Sequence, residues 1–128
     1  MHPSKSVVID RLCRCKTKSL GGSSTIDLST ADYAFIGENA TDLSGGSVSS
    51  AGDVDGDDLD DLLIGAYQND DGGSNAGKAY LVLGDSLGAS STIDLDSADV
   101  HFMGENEQDH AGVSVASAGD VDGDGLAD

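Results

Sequence analysis

Six carboxylates stand within nine residues at Asp53–Asp61, in the stretch DVDGDDLDD. Two such groups ~4 Å apart repel by roughly 4 kcal/mol at the effective dielectric of a protein surface. A compact loop that gathers several of them therefore needs a compensating charge, or must lie open to water as a solvated acidic face. The spacing favours a loop that wraps a cation. Asp53, Asp55 and Asp57 alternate, Asp61 follows four residues later, and Gly56 allows the positive φ that a tight turn needs. The run leads directly into the apolar LLIGAY, and the pattern recurs: DVDGDGLAD places Asp120, Asp122, Asp124 and Asp128 at the same four positions.

The recurrence is part of an internal repeat of 67 residues. SSTIDL stands at Ser23–Leu28 and again at Ser90–Leu95, GEN begins at Gly37 and at Gly104, and SAGDVDGD begins at Ser50 and at Ser117. Such self-similarity takes precedence over any local reading of structure. It divides the chain into a leader at 1–21, a first repeat at 22–88 and a second repeat at 89–128, cut short after its acidic loop.

Charge is unevenly spread. The net charge is -18, and Lys5, Arg11, Arg14, Lys16 and Lys18 all precede the repeats, so that Lys78 is the only base beyond residue 18. Such a surface repels nucleic acid and anionic membranes and attracts cations. The leader has no counterpart in the repeat and is expected to be disordered. Its VVI run is too short for a signal peptide core or a membrane span. Cys13 and Cys15 form a C-x-C pair with no second pair to complete a zinc site, which leaves an exposed thiol pair as the simpler reading.

Short apolar runs bounded by Gly, Asp, Asn and Ser read as strands at Tyr33–Gly37, Gly46–Gly52, Asp61–Tyr67 and Lys78–Gly84, and no segment keeps a helical period. The expected fold is all-β: four strands per repeat forming one four-stranded antiparallel sheet, with the acidic loop joining the second strand to the third. Repeated sheets of this kind are the blades of a β-propeller.

The residues resemble the FG-GAP repeats of integrin α-subunit propellers and related bacterial surface proteins. FIG at Phe35–Gly37 and FMG at Phe102–Gly104 match the first half of that motif loosely. IGAY at Ile64–Tyr67 matches the second, with Tyr67 in place of the usual proline, and GKAYLVLG matches the closing strand. The resemblance covers about 22–128 and implies a fragment of a larger, seven-bladed propeller. It also implies calcium sites formed by Asp53, Asp55, Asp57 and Asp61 with the Leu59 carbonyl, and by Asp120, Asp122, Asp124 and Asp128 with the Leu126 carbonyl. These are all hard oxygen donors, with no His or Cys among them, which favours Ca²⁺ over Zn²⁺ or copper and leaves Mg²⁺ second. Asp58 and Asp60 fall off this register, and the second loop carries Gly125 and Ala127 there.

Two other calcium loops do not fit. An EF-hand needs Gly at the sixth position and Glu at the twelfth, where this chain has Asp58 and Ile64. RTX-type nonapeptides have far too short a period. His101 and His110 align with Ala34 and Leu43 and read as surface histidines, and no serine elbow or catalytic constellation can be assembled. The functional expectation is a non-enzymatic, calcium-binding propeller module of a secreted or cell-surface protein, serving adhesion or the binding of an extracellular protein or glycan. The alternative is an accessory propeller of an extracellular phospholipase or polysaccharide hydrolase. With its second blade incomplete, the chain is expected to associate through open strand edges and to hold calcium more weakly at its second loop.

Overall fold

The computed structural model describes residues 31–88 and 90–128, together with the backbone of Ser6–Ile9. Among the described residues seven strands run in chain order: β1 (Ser6–Ile9), β2 (Tyr33–Ile36), β3 (Ser47–Gly52), β4 (Asp61–Ala66), β5 (Lys78–Val82), β6 (Thr92–Asp94) and β7 (Val100–Met103). Two single-turn 3₁₀ segments, Gly84–Leu87 and Leu95–Ser97, flank β6, and the described residues contain no α-helix.

All four strands expected in the first repeat form, with ends within a residue or two of those read from the sequence. Their assembly differs from the expectation. The four-stranded antiparallel sheet has the order β3-β4-β5-β7, so its fourth member comes from the second repeat. β2, the first strand of the first repeat, lies in a separate three-stranded sheet, β1-β2-β6, antiparallel to β1 and parallel to β6. Sheets and sequence repeats are thus out of phase by one strand. Alternation finds strands but carries no information about which edge each will meet. β1 also falls inside the leader expected to be disordered. It stands to β2 as β5 stands to β7, with Ser6 opposite Ile36 as Lys78 is opposite Met103. Cys13, Cys15 and the first SSTIDL segment lie outside the described residues.

The core lies between the two sheets. Leu62, Ile64 and Ala66 alternate along one face of β4, and Tyr80 and Val82 lie opposite Ile64 and Leu62 on β5. This face packs with Phe35 of β2 and with Leu95, which follows β6, and Phe35, Ile64, Tyr80 and Leu95 are wholly buried. Full burial of each large side chain contributes about 1.5–3 kcal/mol. Gly65, the glycine of IGAY, is required by contact, because a Cβ there would collide with the Gly112 carbonyl. Ser47 Oγ donates to that same carbonyl at 2.7 Å.

A candidate cation site in paired acidic loops

The first acidic loop is the turn of the β3–β4 hairpin, with a register irregularity between Ser50 and Gly52 on its way in. Within it the carboxylates organise the backbone. Asp53 Oδ1 accepts from Gly56 N (2.6 Å) and Asp57 N (3.1 Å), and its Oδ2 accepts from Asp58 N (3.0 Å). Asp55 Oδ1 accepts from Asp57 N, and Asp57 Oδ1 from Leu59 N at 2.8 Å. Asp61, fully buried at the start of β4, accepts from Val54 N with one oxygen and from Gly84 N with the other, both at 2.8 Å. It therefore ties both ends of its own loop to the segment that follows β5.

The second loop repeats this wiring. Asp120 accepts from Gly123 N (2.7 Å) and Gly125 N (2.9 Å), Asp122 from Asp124 N (3.0 Å), Asp124 from Leu126 N (2.8 Å), and Asp128 from Val121 N (2.8 Å). The backbone matches as well: Gly56 and Gly123 have φ of 83° and 81°, and Asp58 and Gly125 have 66° and 94°.

Carboxylate oxygens of Asp53, Asp55 and Asp61 lie within 4.8 Å of one another, as do those of Asp120, Asp122 and Asp124. Asp57 stands outside the first of these groups and Asp128 outside the second. Each of the four register positions is therefore gathered in at least one loop. The Leu59 side chain is 46% exposed, and Leu126 is half-buried. Asp58 and Asp60, off the expected register, are exposed.

Electrostatics separates the two leading acids of the first loop. Desolvation, and then the like charges of Asp57, Asp61 and Asp53, raise the Asp55 carboxyl above its ordinary range. For Asp53 desolvation also acts upward, but the N–H groups of Asp58, Gly56, Asp57 and Asp55 outweigh it and hold the carboxyl low. The loop thus keeps one carboxylate ionised by its own backbone and crowds a second against like charge. Chemically, this is a set of hard anionic oxygens converging on one point.

Three features were not legible in the sequence. The two loops touch: Ala127 N donates to the Asp53 carbonyl at 2.9 Å, and a Cβ on Gly56 would lie 3.1 Å from Leu126 Cδ2. Asp61 has an acceptor role toward Gly84, 23 residues away. Finally, Lys78 pairs with Glu38 (2.6 Å) and Asp71 (2.7 Å) with its side chain only 8% exposed. Its isolation as a base among acids was the one available signal of that pairing. His101 packs edge-on against Tyr80, with its Nδ1 3.8 Å from Glu38, and His110 lies near Tyr67. Neither belongs to the acidic groups. An open hollow lined by Ile36, Gly37, Glu38, Asn39, Asp94 and Asp96 shares no residue with either loop. No helix among the described residues is long and apolar enough to cross a membrane.

Residues 44–82, from the turn before β3 to the end of β5, match the family model described as the FG-GAP repeat. The match takes in the first acidic loop and the whole β3-β4-β5 meander. No curated protein matches the chain.

Proposed function

We propose, from the premise that residues 44–82 are an FG-GAP repeat, that this chain is a calcium-binding β-propeller module acting outside the cell in adhesion or ligand binding. The observation that carries the reading is the convergence of Asp53, Asp55 and Asp61, and of Asp120, Asp122 and Asp124, in two loops wired alike. Asp55, raised by desolvation and then by the like charges of Asp57, Asp61 and Asp53, is a group whose ionised form a bound cation would favour. Asp53, Asp55, Asp57 and Asp61 with the Leu59 carbonyl would hold one Ca²⁺. Asp120, Asp122, Asp124 and Asp128 with the Leu126 carbonyl would hold the other. The ion supplies charge neutralisation, and the chain's part is to hold the loops in register through the hairpin and the Asp61 bonds. The phase shift between sheets and repeats supports the propeller part of the reading, since a strand shared across the repeat boundary links one sheet to the next. The reading assigns no catalytic step to the chain.

Thermal unfolding with added cation tests this. With a dissociation constant of ~10⁻⁴–10⁻³ M, typical of extracellular modules, about 5 mM Ca²⁺ adds roughly 1–2.3 kcal/mol per site. Tm should rise by several degrees and fall back on chelation, with Mg²⁺ less effective. An unchanged Tm and no calorimetric heat at that concentration would defeat the proposal.

A further inference from the structure

Two consecutive hydrogen bonds join the acidic loops through shared peptide planes. Val54 N donates to buried Asp61 at 2.8 Å, and the other side of the same peptide unit, the Asp53 carbonyl, accepts from Ala127 N at 2.9 Å. The Ala127 N–H in turn shares its peptide unit with the Leu126 carbonyl. A peptide unit is planar, so fixing the direction of its N–H fixes that of its carbonyl. The path therefore runs from the Asp61 carboxylate, through peptides 53–54 and 126–127, to the Leu126 carbonyl. Those two end groups are proposed ligands of different ions. Packing closes the same gap, because a Cβ on Gly56 would lie 3.1 Å from Leu126 Cδ2 and one on Gly52 would lie 2.7 Å from Ala127 Cβ. A shift of either loop displaces the other.

We infer that the two loops are energetically coupled, so that a cation bound in one raises the affinity of the other. The inference rests on the calcium reading and goes beyond it, since two sites in one chain need not communicate. Its basis is ordering. A cation held by Asp53 and Asp61 fixes peptide 53–54, and through Ala127 N it aims the Leu126 carbonyl before the second ion arrives. Part of the ordering cost of the second loop has then already been met. Charge acts in the opposite sense, because neutralising one loop weakens the pull of its neighbour on a cation. Salt screens that effect, with a Debye length of about 8 Å at physiological strength and about 3 Å at 1 M, but leaves the hydrogen-bonded path intact. A coupling of about fivefold, at the low end for linked sites and equal in both directions, should therefore emerge at high salt. It is smaller than the loss caused by removing a ligand, so a substitution in one loop still acts chiefly on its own site.

The test is calcium titration calorimetry of the full chain in about 0.5 M KCl, where charge coupling is screened. With the first loop disabled by Asp55→Asn and Asp57→Asn together, the second loop should bind about fivefold more weakly than it does in the intact chain with its first loop filled. Ala127→Pro removes the bridging N–H but no proposed ligand. In that background both loops should still bind, and the fivefold difference should vanish. A further measurement needs no change at the bridge. With the second loop disabled by Asp122→Asn and Asp124→Asn, calcium in the first loop should slow hydrogen exchange of the Ala127 amide by about fivefold or more in NMR spectra. No calcium binding by the intact chain would sink the calcium reading and this inference together. Loops that fill independently, coupling that survives Ala127→Pro, or Ala127 exchange that calcium leaves unchanged would each overturn this inference and leave the calcium reading standing.

Discussion

Asp58 is held at a φ of 66°, in the left-handed region, and its counterpart Gly125 sits at 94°. A side chain there carries strain of order 1 kcal/mol. The bond Asp58 contributes to the loop comes from its backbone N–H, which glycine retains. Asp58→Gly is therefore expected to keep calcium affinity and to leave stability unchanged or higher by up to ~1 kcal/mol. Asp55→Ala and Asp57→Ala each remove a proposed charged ligand and should weaken binding about tenfold or more by titration calorimetry. Equal damage from Asp58→Gly and Asp55→Ala would reassign the ligand register. Asp61 differs from both, because it also carries a structural load. Without its carboxylate the N–H groups of Val54 and Gly84 lose their acceptor, so Asp61→Ala should cost about 2–4 kcal/mol in urea unfolding even with chelator present. Asp55→Ala should be near neutral under the same conditions.

At the scale of the elements, Lys78 opens β5 and fastens it to Glu38, beyond β2, and to Asp71, in the β4–β5 connection. Burial alone would lower its ammonium, but Asp71 and Glu38 override this and hold it above the ordinary value. Tyr80, two residues along, is pushed upward by burial and then by the negative charge of Glu38, Asp42 and Asp71 around its hydroxyl, which meets no partner at good hydrogen-bond geometry among the described residues. Both groups have folded pKa values raised above the unfolded ones. Their contribution to stability is thus fully present below the unfolded values near about 10, and is lost as pH rises through the folded ones. Stability should be insensitive to these groups at neutral pH and decline above pH ~10, which denaturant midpoints across an alkaline series would show. Lys78→Met should cost about 2–3 kcal/mol at neutral pH. That is less than for a sealed pair, because Asp71 remains half open to water. A neutral Lys78→Met variant would show that the ion pairs contribute nothing net.

At the scale of the molecule, two similar loops lie side by side but are supported differently. The first is framed by β3 and β4 and anchored by buried Asp61. In the second, all four acids are exposed and residues 114–119 form no strand. Its support is local, from Ala118 N and Gly119 O to Asp128, with one bond from Ala127 N to the Asp53 carbonyl. Calcium titration should therefore resolve two unequal sites. Asp55→Asn should weaken the tighter one selectively and Asp122→Asn the weaker one. Two equal sites would mean that the hairpin adds nothing to the affinity.

The positions of the strands, the acidic register and the 67-residue period were legible in the sequence because each is a local or periodic property. Period-2 alternation, glycine at turns and recurring Asp spacing are written into consecutive residues, and they placed β2 to β5 and both loops. The family resemblance read from the same residues agrees with the model match at 44–82. Which strand closes which sheet was decided only in three dimensions. Phe35 and Phe102 occupy the same repeat position, yet one is buried and the other exposed, because burial depends on whether a segment like Ser90–Leu95 lies alongside. Lys78 finding Glu38 across 40 residues, and Ala127 finding the Asp53 carbonyl, likewise depend on the packing of sheets against each other. Neighbours along a chain constrain dihedrals and faces, whereas partners across a sheet edge are chosen by the whole fold.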